Sequence, residues 1–236
     1  RAIWSGMTET EAILVLEDGR EFRGRGVGAE GEAFGEIVFN TSMTGYQEIA
    51  SDPSYCGQII TYTAPHIGNY GVCDTDNQSS RPAAAGVVMR ADSPRWSSHR
   101  AEGAFGDWLQ RWGLVAICEV DTRALTRHIR EQGAMRAGIW TRVPEDTDLV
   151  ARVRQTPSME GLDLTGRVTT REGYTVAAEG AERNRVALVD FGVKRGILGS
   201  LARRGLTIDV LPAGSTADEI LSRDPNGVVL SNGPGD

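Results

Sequence analysis

RVALVDFGVKRGILGSLARRGLTIDVLPAGSTADEILSRDPNGVVLSNGPGD, residues 185–236, sets three short apolar runs apart by two segments of helical period. Arg185 to Asp190 reads as a nearly continuous apolar strand. Lys194 to Arg204 turns Ile197, Leu198 and Leu201 to one side, and Leu206 to Leu211 is a second strand. Thr216 to Arg223 forms a short helix capped by Ser215 or Thr216, and Gly227 to Ser231 is a third strand that runs straight into Asn232-Gly233-Pro234-Gly235. Strand, helix, strand, helix, strand at this spacing predicts a parallel, doubly wound sheet, in which ligands sit beyond the carboxyl ends of the strands. Asp190-Phe191-Gly192 and the Gly-Pro-Gly turn both fall there.

Gly233-Pro234-Gly235 has two readings. Two glycines let a backbone approach a ligand closely, and Pro234 fixes φ and has no N–H, so the amides of Gly233 and Gly235 can be aimed outward from a rigid turn, as in an oxyanion hole. The same tripeptide also serves as a plain tight turn after a strand.

Upstream, the chain opens with strands. Ala12 to Phe22 alternates Ile13, Val15 and Glu17 before Asp18-Gly19 and resumes at Glu21-Phe22, the pattern of a hairpin closed by an Asp-Gly turn. Glu36–Thr41, Gln58–Thr63, Ala85–Arg90 and Leu114–Val120 are further runs rich in Val, Ile, Thr and Tyr, bounded by turn residues. Two helices lie among them, at Gly106–Trp112 and at Asp121–Gln132. In the second, Asp121 or Thr122 caps, Leu125 and Ile129 share a face, and Gly133 stops the helix. Residues 7–156 thus read as a mixed α/β domain rich in strands, without internal repeats. Residues 157–184 have a less regular pattern and few large apolar residues, the composition of a connection, and residues 185–236 begin the second domain.

The totals narrow the chemistry. At 236 residues and 40% apolar the chain can bury two cores, and 25 basic against 32 acidic residues (net −7) give no electrostatic reason to bind nucleic acid or an anionic membrane. Lys194 is the one lysine, so there is no P-loop Gly-Lys-[Ser/Thr]. Cys56, Cys73 and Cys118 are far apart and form no Cys-x-x-Cys pair, which fits a reducing, cytoplasmic setting without a disulfide framework or zinc knuckle. No apolar run approaches the ~20 residues that cross a bilayer, and no signal segment is visible. Arg1 to Gly6 are set aside as a tag remnant or trimmed end, with Met7 a candidate start.

Several motifs resolve to bland readings. Gly26-Val27-Gly28-Ala29-Glu30-Gly31 fits G-x-G-x-x-G, but the strand-like Glu36–Thr41 follows where the dinucleotide fingerprint needs a helix. Asp190-Phe191-Gly192 matches the kinase D-F-G without its companion motifs. Asn40-Thr41-Ser42 and Asn77-Gln78-Ser79 fit a glycosylation pattern that has no meaning without secretion. A nucleophilic cysteine in such a sheet sits on a sharp strand-to-helix turn among small residues. None qualifies: Cys118 lies in the apolar run 114–118 as a core residue, and Cys56 and Cys73 have no helix start behind them. His66, His99 and His128 are scattered. Asp52-Pro53-Ser54-Tyr55 is a type I turn, in which Ser54 by itself is turn chemistry.

Taken in order, Leu14–Gly19, Phe39-Asn40-Thr41-Ser42-Met43-Thr44-Gly45-Tyr46-Gln47-Glu48, Asp52-Pro53-Ser54-Tyr55, Pro65-His66-Ile67-Gly68-Asn69, Asp121-Thr122-Arg123 with Leu125-Thr126-Arg127, Asp190–Arg195 and Ser231–Asp236 resemble the small, glutamine-hydrolysing subunit of carbamoyl phosphate synthetase. The resemblance runs from about Ala12 to the end of the chain, is most specific at Phe39–Glu48, and is weakest over residues 157–184. It implies a family-specific amino-terminal domain that helps dock the large synthetase subunit. It further implies the first half of a doubly wound, parallel-sheet class I glutamine amidotransferase domain, and a cytoplasmic heterodimer.

In that family a cysteine thiolate, supported by histidine and glutamate, attacks L-glutamine. The ammonia passes through a tunnel to the large subunit, where it meets bicarbonate and ATP-derived phosphate. The resemblance implies that Ser54 binds glutamine from the first domain, that Gly233 and Gly235 belong to the glutamine site, and that the Gly233 amide is the oxyanion donor. It implies no cofactor or metal in this chain, with ATP and a divalent metal on the large subunit. The nucleophile, histidine and glutamate are expected beyond Asp236, so no catalytic residue is assigned and this chain alone is expected to be inactive. The rival expectation is a non-catalytic docking module that binds the large synthetase subunit.

Overall fold

The computed structural model describes residues 11–235; Arg1–Gly6, the candidate start at Met7 and the final Asp236 lie outside the described residues. The chain divides into two compact units. The first comprises the described part of Arg1–Ala50 with Gly57–Asp76 and Ala84–Ser158, and the second comprises Ser51–Cys56, Asn77–Ala83 and the chain from Met159.

The first unit contains β1 (Glu11–Leu16), β2 (Glu21–Gly28), β3 (Glu32–Asn40), α1 (Tyr46–Ser51), β4 (Gln58–Tyr62), β5 (Gly86–Val88), α2 (Phe105–Arg111), β6 (Val115–Cys118), α3 (Thr122–Gln132), β7 (Met135–Trp140) and α4 (Leu149–Arg154). Seven strands close into a barrel in the order β1-β2-β6-β5-β4-β3-β7. The β3-β4-β5-β6 neighbours are parallel and the remaining pairs antiparallel. Closure leaves no open sheet edge to guard.

The opening hairpin forms as the Asp-Gly turn predicts, with Leu14 opposite Phe22 and the Gly19 N–H donating to the Leu16 carbonyl at 2.9 Å. The expected alternation of β1 is not one of burial: every residue from Ala12 to Leu16 is buried. The period of two survives as two destinations. Ala12, Leu14 and Leu16 join a cluster with Ile37, Ile59, Val88, Ile117 and Ile139 and with Leu125 and Ile129 of α3, whereas Ile13 and Val15 meet Trp140 and Val153 on the opposite face. A helix packed on the outer side makes both faces apolar.

Of the two candidate caps of α3, Asp121 does the capping, its Oδ1 accepting the Ala124 N–H at 3.0 Å. Strand β7, Met-Arg-Ala-Gly-Ile-Trp, was not legible as a strand because Gly138 interrupts its apolar face. A side chain at that position would collide with the Trp140 ring. The G-x-G-x-x-G stretch lies on β2 and its turn into β3, so a strand follows it and no helix does.

The second unit contains a 3-10 turn (Pro53–Tyr55), α5 (Thr165–Val168), β8 (Tyr174–Val176), β9 (Asn184–Asp190), α6 (Arg195–Ala202), β10 (Leu206–Pro212), α7 (Ala217–Leu221) and β11 (Gly227–Leu230). Its sheet has the order β11-β9-β10-β8. The three strands expected from residues 185–231 are parallel, and β8, from the irregular stretch 157–184, adds an antiparallel edge on β10. Val186, Leu188, Ile208 and Val210 pack with Leu198 and Ala202 of α6. Thr216 caps α7 in a reciprocal box with Glu219. No helix among the described residues is long and apolar enough to cross a membrane.

Candidate functional site

Because β9 and β11 are parallel neighbours, their carboxyl ends lie side by side: β9 ends in Asp190 and β11 runs into Ser231, polar residues at which the chain turns. Asp190 is buried. Its Oδ1 accepts the N–H groups of Gly192 (2.9 Å) and Val193 (2.7 Å), and its Oδ2 accepts that of Thr170 (2.7 Å), so three otherwise orphaned amides satisfy one carboxylate. Ser231 ties the second strand end to the first: its Oγ accepts the Phe191 N–H at 2.9 Å and donates to the Asn232 carbonyl at 2.6 Å.

A third segment joins these two. Asp52 caps the turn Pro53–Tyr55, its Oδ1 accepting the Ser54 N–H at 2.9 Å, while its Oδ2 lies 3.0 Å from Nζ of Lys194. The Asn232 Nδ2 donates to Ser54 Oγ at 2.9 Å and to the Gly192 carbonyl at 3.1 Å. Gly192 is flanked by Pro53, Val168 and Pro234. Ser54 and the Gly-Pro-Gly turn, far apart in sequence, are thus neighbours, and both belong to the second unit.

The turn has the backbone the sequence suggests. A Cβ on Gly233 would lie 2.3 Å from the Phe191 carbonyl oxygen, closer than any side chain tolerates. Gly235 has φ +104°, outside the range of L-residues. Pro234 is buried beneath the two exposed glycines, and neither glycine N–H has an acceptor among the described residues. Amides without an acceptor among the described residues, held on a rigid turn, can serve as donors to developing negative charge.

All three cysteines are buried. Burial pushes the Cys118 thiol up to about 11, and burial also raises that of Cys56 against the pull of Arg167. Neither is an activated nucleophile. Cys73 sits in the first unit, in a cleft of about 270 Å³ whose lining includes Glu48, Tyr70, Asp76 and Arg100 and none of the site residues expected from sequence. No group of three or more His, Cys, Asp or Glu that could hold a metal ion occurs among the described residues.

Sequence reasoning missed two parts of the site. Asn232 lies between residues that were read, yet its role depends on partners 178 and 40 positions away. Gln78, weighed only as part of a glycosylation pattern, accepts the Arg195 N–H with its carbonyl at 2.7 Å and the Gly196 N–H with its Oε1 at 3.2 Å, closing the start of α6. No local signal marks either role.

A family model described as the carbamoyl-phosphate synthase small chain, CPSase domain, matches residues 14–139. The chain is 48% identical over 233 residues to the carbamoyl phosphate synthase small chain of Streptomyces avermitilis, covering 98% of this chain and 61% of that one. With its counterpart from Synechococcus sp. the identity is 46% over 236 residues, 95% of this chain and 60% of that one. With that from Mycobacterium tuberculosis it is 48% over 234 residues, 96% and 62%. The chain therefore spans about three-fifths of the length of these relatives. An aminopeptidase from Aneurinibacillus sp. strain AM-1 overlays with a TM-score of 0.33 at 11% identity, covering 95% of this chain and 57% of that one, a likeness too low to bear on the fold.

Proposed function

Because the chain belongs to the carbamoyl-phosphate synthase small-chain family, we propose that it is part of a glutamine-hydrolysing subunit that supplies ammonia to a large, ATP-using synthetase subunit. On this reading the second unit is the first half of a doubly wound class I amidotransferase domain, and its strand-end cluster is one wall of the glutamine site. The observation that carries the reading is the Asn232–Ser54 hydrogen bond, which joins the turn of Ser54 to the turn of Gly233 and Gly235.

The roles follow from the chemistry. The Ser54 hydroxyl holds the substrate, and the Gly233 amide, with Gly235 beside it, faces the oxygen that becomes negative when a thiolate adds to the glutamine amide carbon. Collapse of that intermediate expels ammonia, and water then releases glutamate. The thiolate is assigned to polypeptide outside residues 1–236, with its supporting histidine and glutamate. Burial of Cys56, Cys73 and Cys118 supports that assignment, as does the greater length of the relatives. ATP and a divalent metal are assigned to the large subunit, and the complex to the cytoplasm.

The test is ammonia release from glutamine. The full-length protein should hydrolyse glutamine, residues 1–236 alone should not, and Ser54→Ala in the full-length protein should weaken glutamine use by about 0.5–1.5 kcal/mol, the worth of one hydrogen bond. Robust hydrolysis by residues 1–236 would sink the assignment of the nucleophile. Unchanged kinetics for Ser54→Ala would return Ser54 to turn chemistry.

One observation favours a second reading for the first unit, that of a docking module: the family match over residues 14–139 coincides with the barrel and stops well short of the Gly233-Pro234-Gly235 turn. A pull-down of residues 1–236 with the large synthetase subunit tests it, and failure to bind would refute it.

A further inference from the structure

Asn232 has a primary amide with two N–H groups and one oxygen, and its surroundings fix which end points where. The Gly192 carbonyl, 3.1 Å away, can only accept, so the atom facing it is Nδ2. The same nitrogen donates its second hydrogen to Ser54 Oγ at 2.9 Å. The opposite end, Oδ1, is buried with no partner among the described residues, an arrangement that costs free energy and that the fold nevertheless keeps.

The consequence falls on Ser54. A hydroxyl carries one hydrogen and can accept through its lone pairs. Here the oxygen already accepts from Asn232, and the hydroxyl hydrogen has no acceptor among the described residues. We infer that Asn232 is a positioning residue that fixes Ser54 as a hydrogen-bond donor, so that Ser54 recognises an acceptor oxygen of the substrate rather than its amino group. The inference rests on the reading of Ser54 as a glutamine contact. It adds a polarity to that contact and a residue that sets it.

Asn232→Asp separates the possibilities in the full-length protein. A carboxylate has no hydrogen to give, so Ser54 donates to residue 232 instead and its hydrogen is lost to the substrate. The expected result is a KM for glutamine raised about two- to tenfold, the range of one hydrogen bond, with kcat changed far less. Thermal melting checks that the variant is folded. If it is not, Asn232→Ala is combined with Ser54→Ala: once Ser54 lacks its hydroxyl, removing the Asn232 amide should raise KM little further. KM effects that multiply independently, or an unchanged KM in folded Asn232→Asp, would overturn the inference and leave the functional reading standing. A full-length wild-type protein that hydrolyses no glutamine would overturn that reading itself.

Discussion

Replacing Asp92 with asparagine should stabilise the first unit at neutral pH and do nothing in acid. Asp92 is half-buried near the start of α2, its carboxylate oxygens lying against Gly68 and Gly106. Loss of water raises its pKa to about 6; the positive charge of Arg25 pulls the other way, and Asp107 adds to the rise. From the ordinary value of 3.8 the shift is about two units, and at 1.36 kcal/mol per unit its ceiling is about 3 kcal/mol. Residual contact with water reduces this to roughly 1–2 kcal/mol.

The folded chain holds the proton more tightly than the unfolded one. The stability this proton contributes is therefore full below pH 3.8 and is lost as pH rises through about 6. The asparagine amide stays neutral throughout, so the advantage of Asp92→Asn should be absent near pH 4 and reach about 1–2 kcal/mol by pH 7.5. Urea titrations of wild type and Asp92→Asn from pH 4 to pH 8, followed by circular dichroism, measure it. A difference between the two proteins that does not change with pH, or one that grows toward acid, would refute the reasoning.

Gly233→Ala forces a methyl group to within 2.3 Å of the Phe191 carbonyl oxygen, so the turn must move. In the full-length protein glutamine hydrolysis should fall by about 10²–10³, the worth of an oxyanion donor, as measured by kcat for ammonia release. Asp190→Ala strands three N–H groups, two of them buried and one half-buried, and urea denaturation should report a loss of about 3–5 kcal/mol, more than a surface carboxylate is worth. Alkylation by iodoacetamide at pH 8 should leave Cys56 and Cys118 unmodified until urea unfolds the chain, because burial both hides the thiols and disfavours thiolate; mass spectrometry of the intact protein counts the adducts.

Strand positions were legible where both faces are buried and the sequence is a nearly continuous apolar run, as in Gln58–Tyr62 and Asn184–Asp190, and the helices at Phe105–Arg111 and Thr122–Gln132 appear within a residue or two of their expected ends. What could not be read was closure. Nothing local says that β1 will meet β7, and Gly138 looks like a strand breaker until the Trp140 ring is placed over it. Strand β8 was hidden for a related reason: Tyr174-Thr175-Val176 is three residues long, and its partner β10 supplies the order its own pattern lacks. In the site, Ser54 and the two glycines were identified through the family resemblance, whereas Asn232 and Gln78 act through partners that sequence spacing does not bring together.

The second unit draws Ser51–Cys56 and Asn77–Ala83 from the middle of the stretch that otherwise builds the barrel. No single cut in the gene therefore separates the two. A fragment begun at Met159 would keep the glycine turn yet lose Asp52, Ser54 and Gln78, so modular exchange between homologues has to transplant three pieces at once. The same interleaving sets an order on the ribosome: Ser54 emerges 178 residues before the Asn232 that engages it. Closing so long a loop is entropically costly, on the order of 5 kcal/mol for an unstructured chain, so the contact that organises the site should be among the last to form.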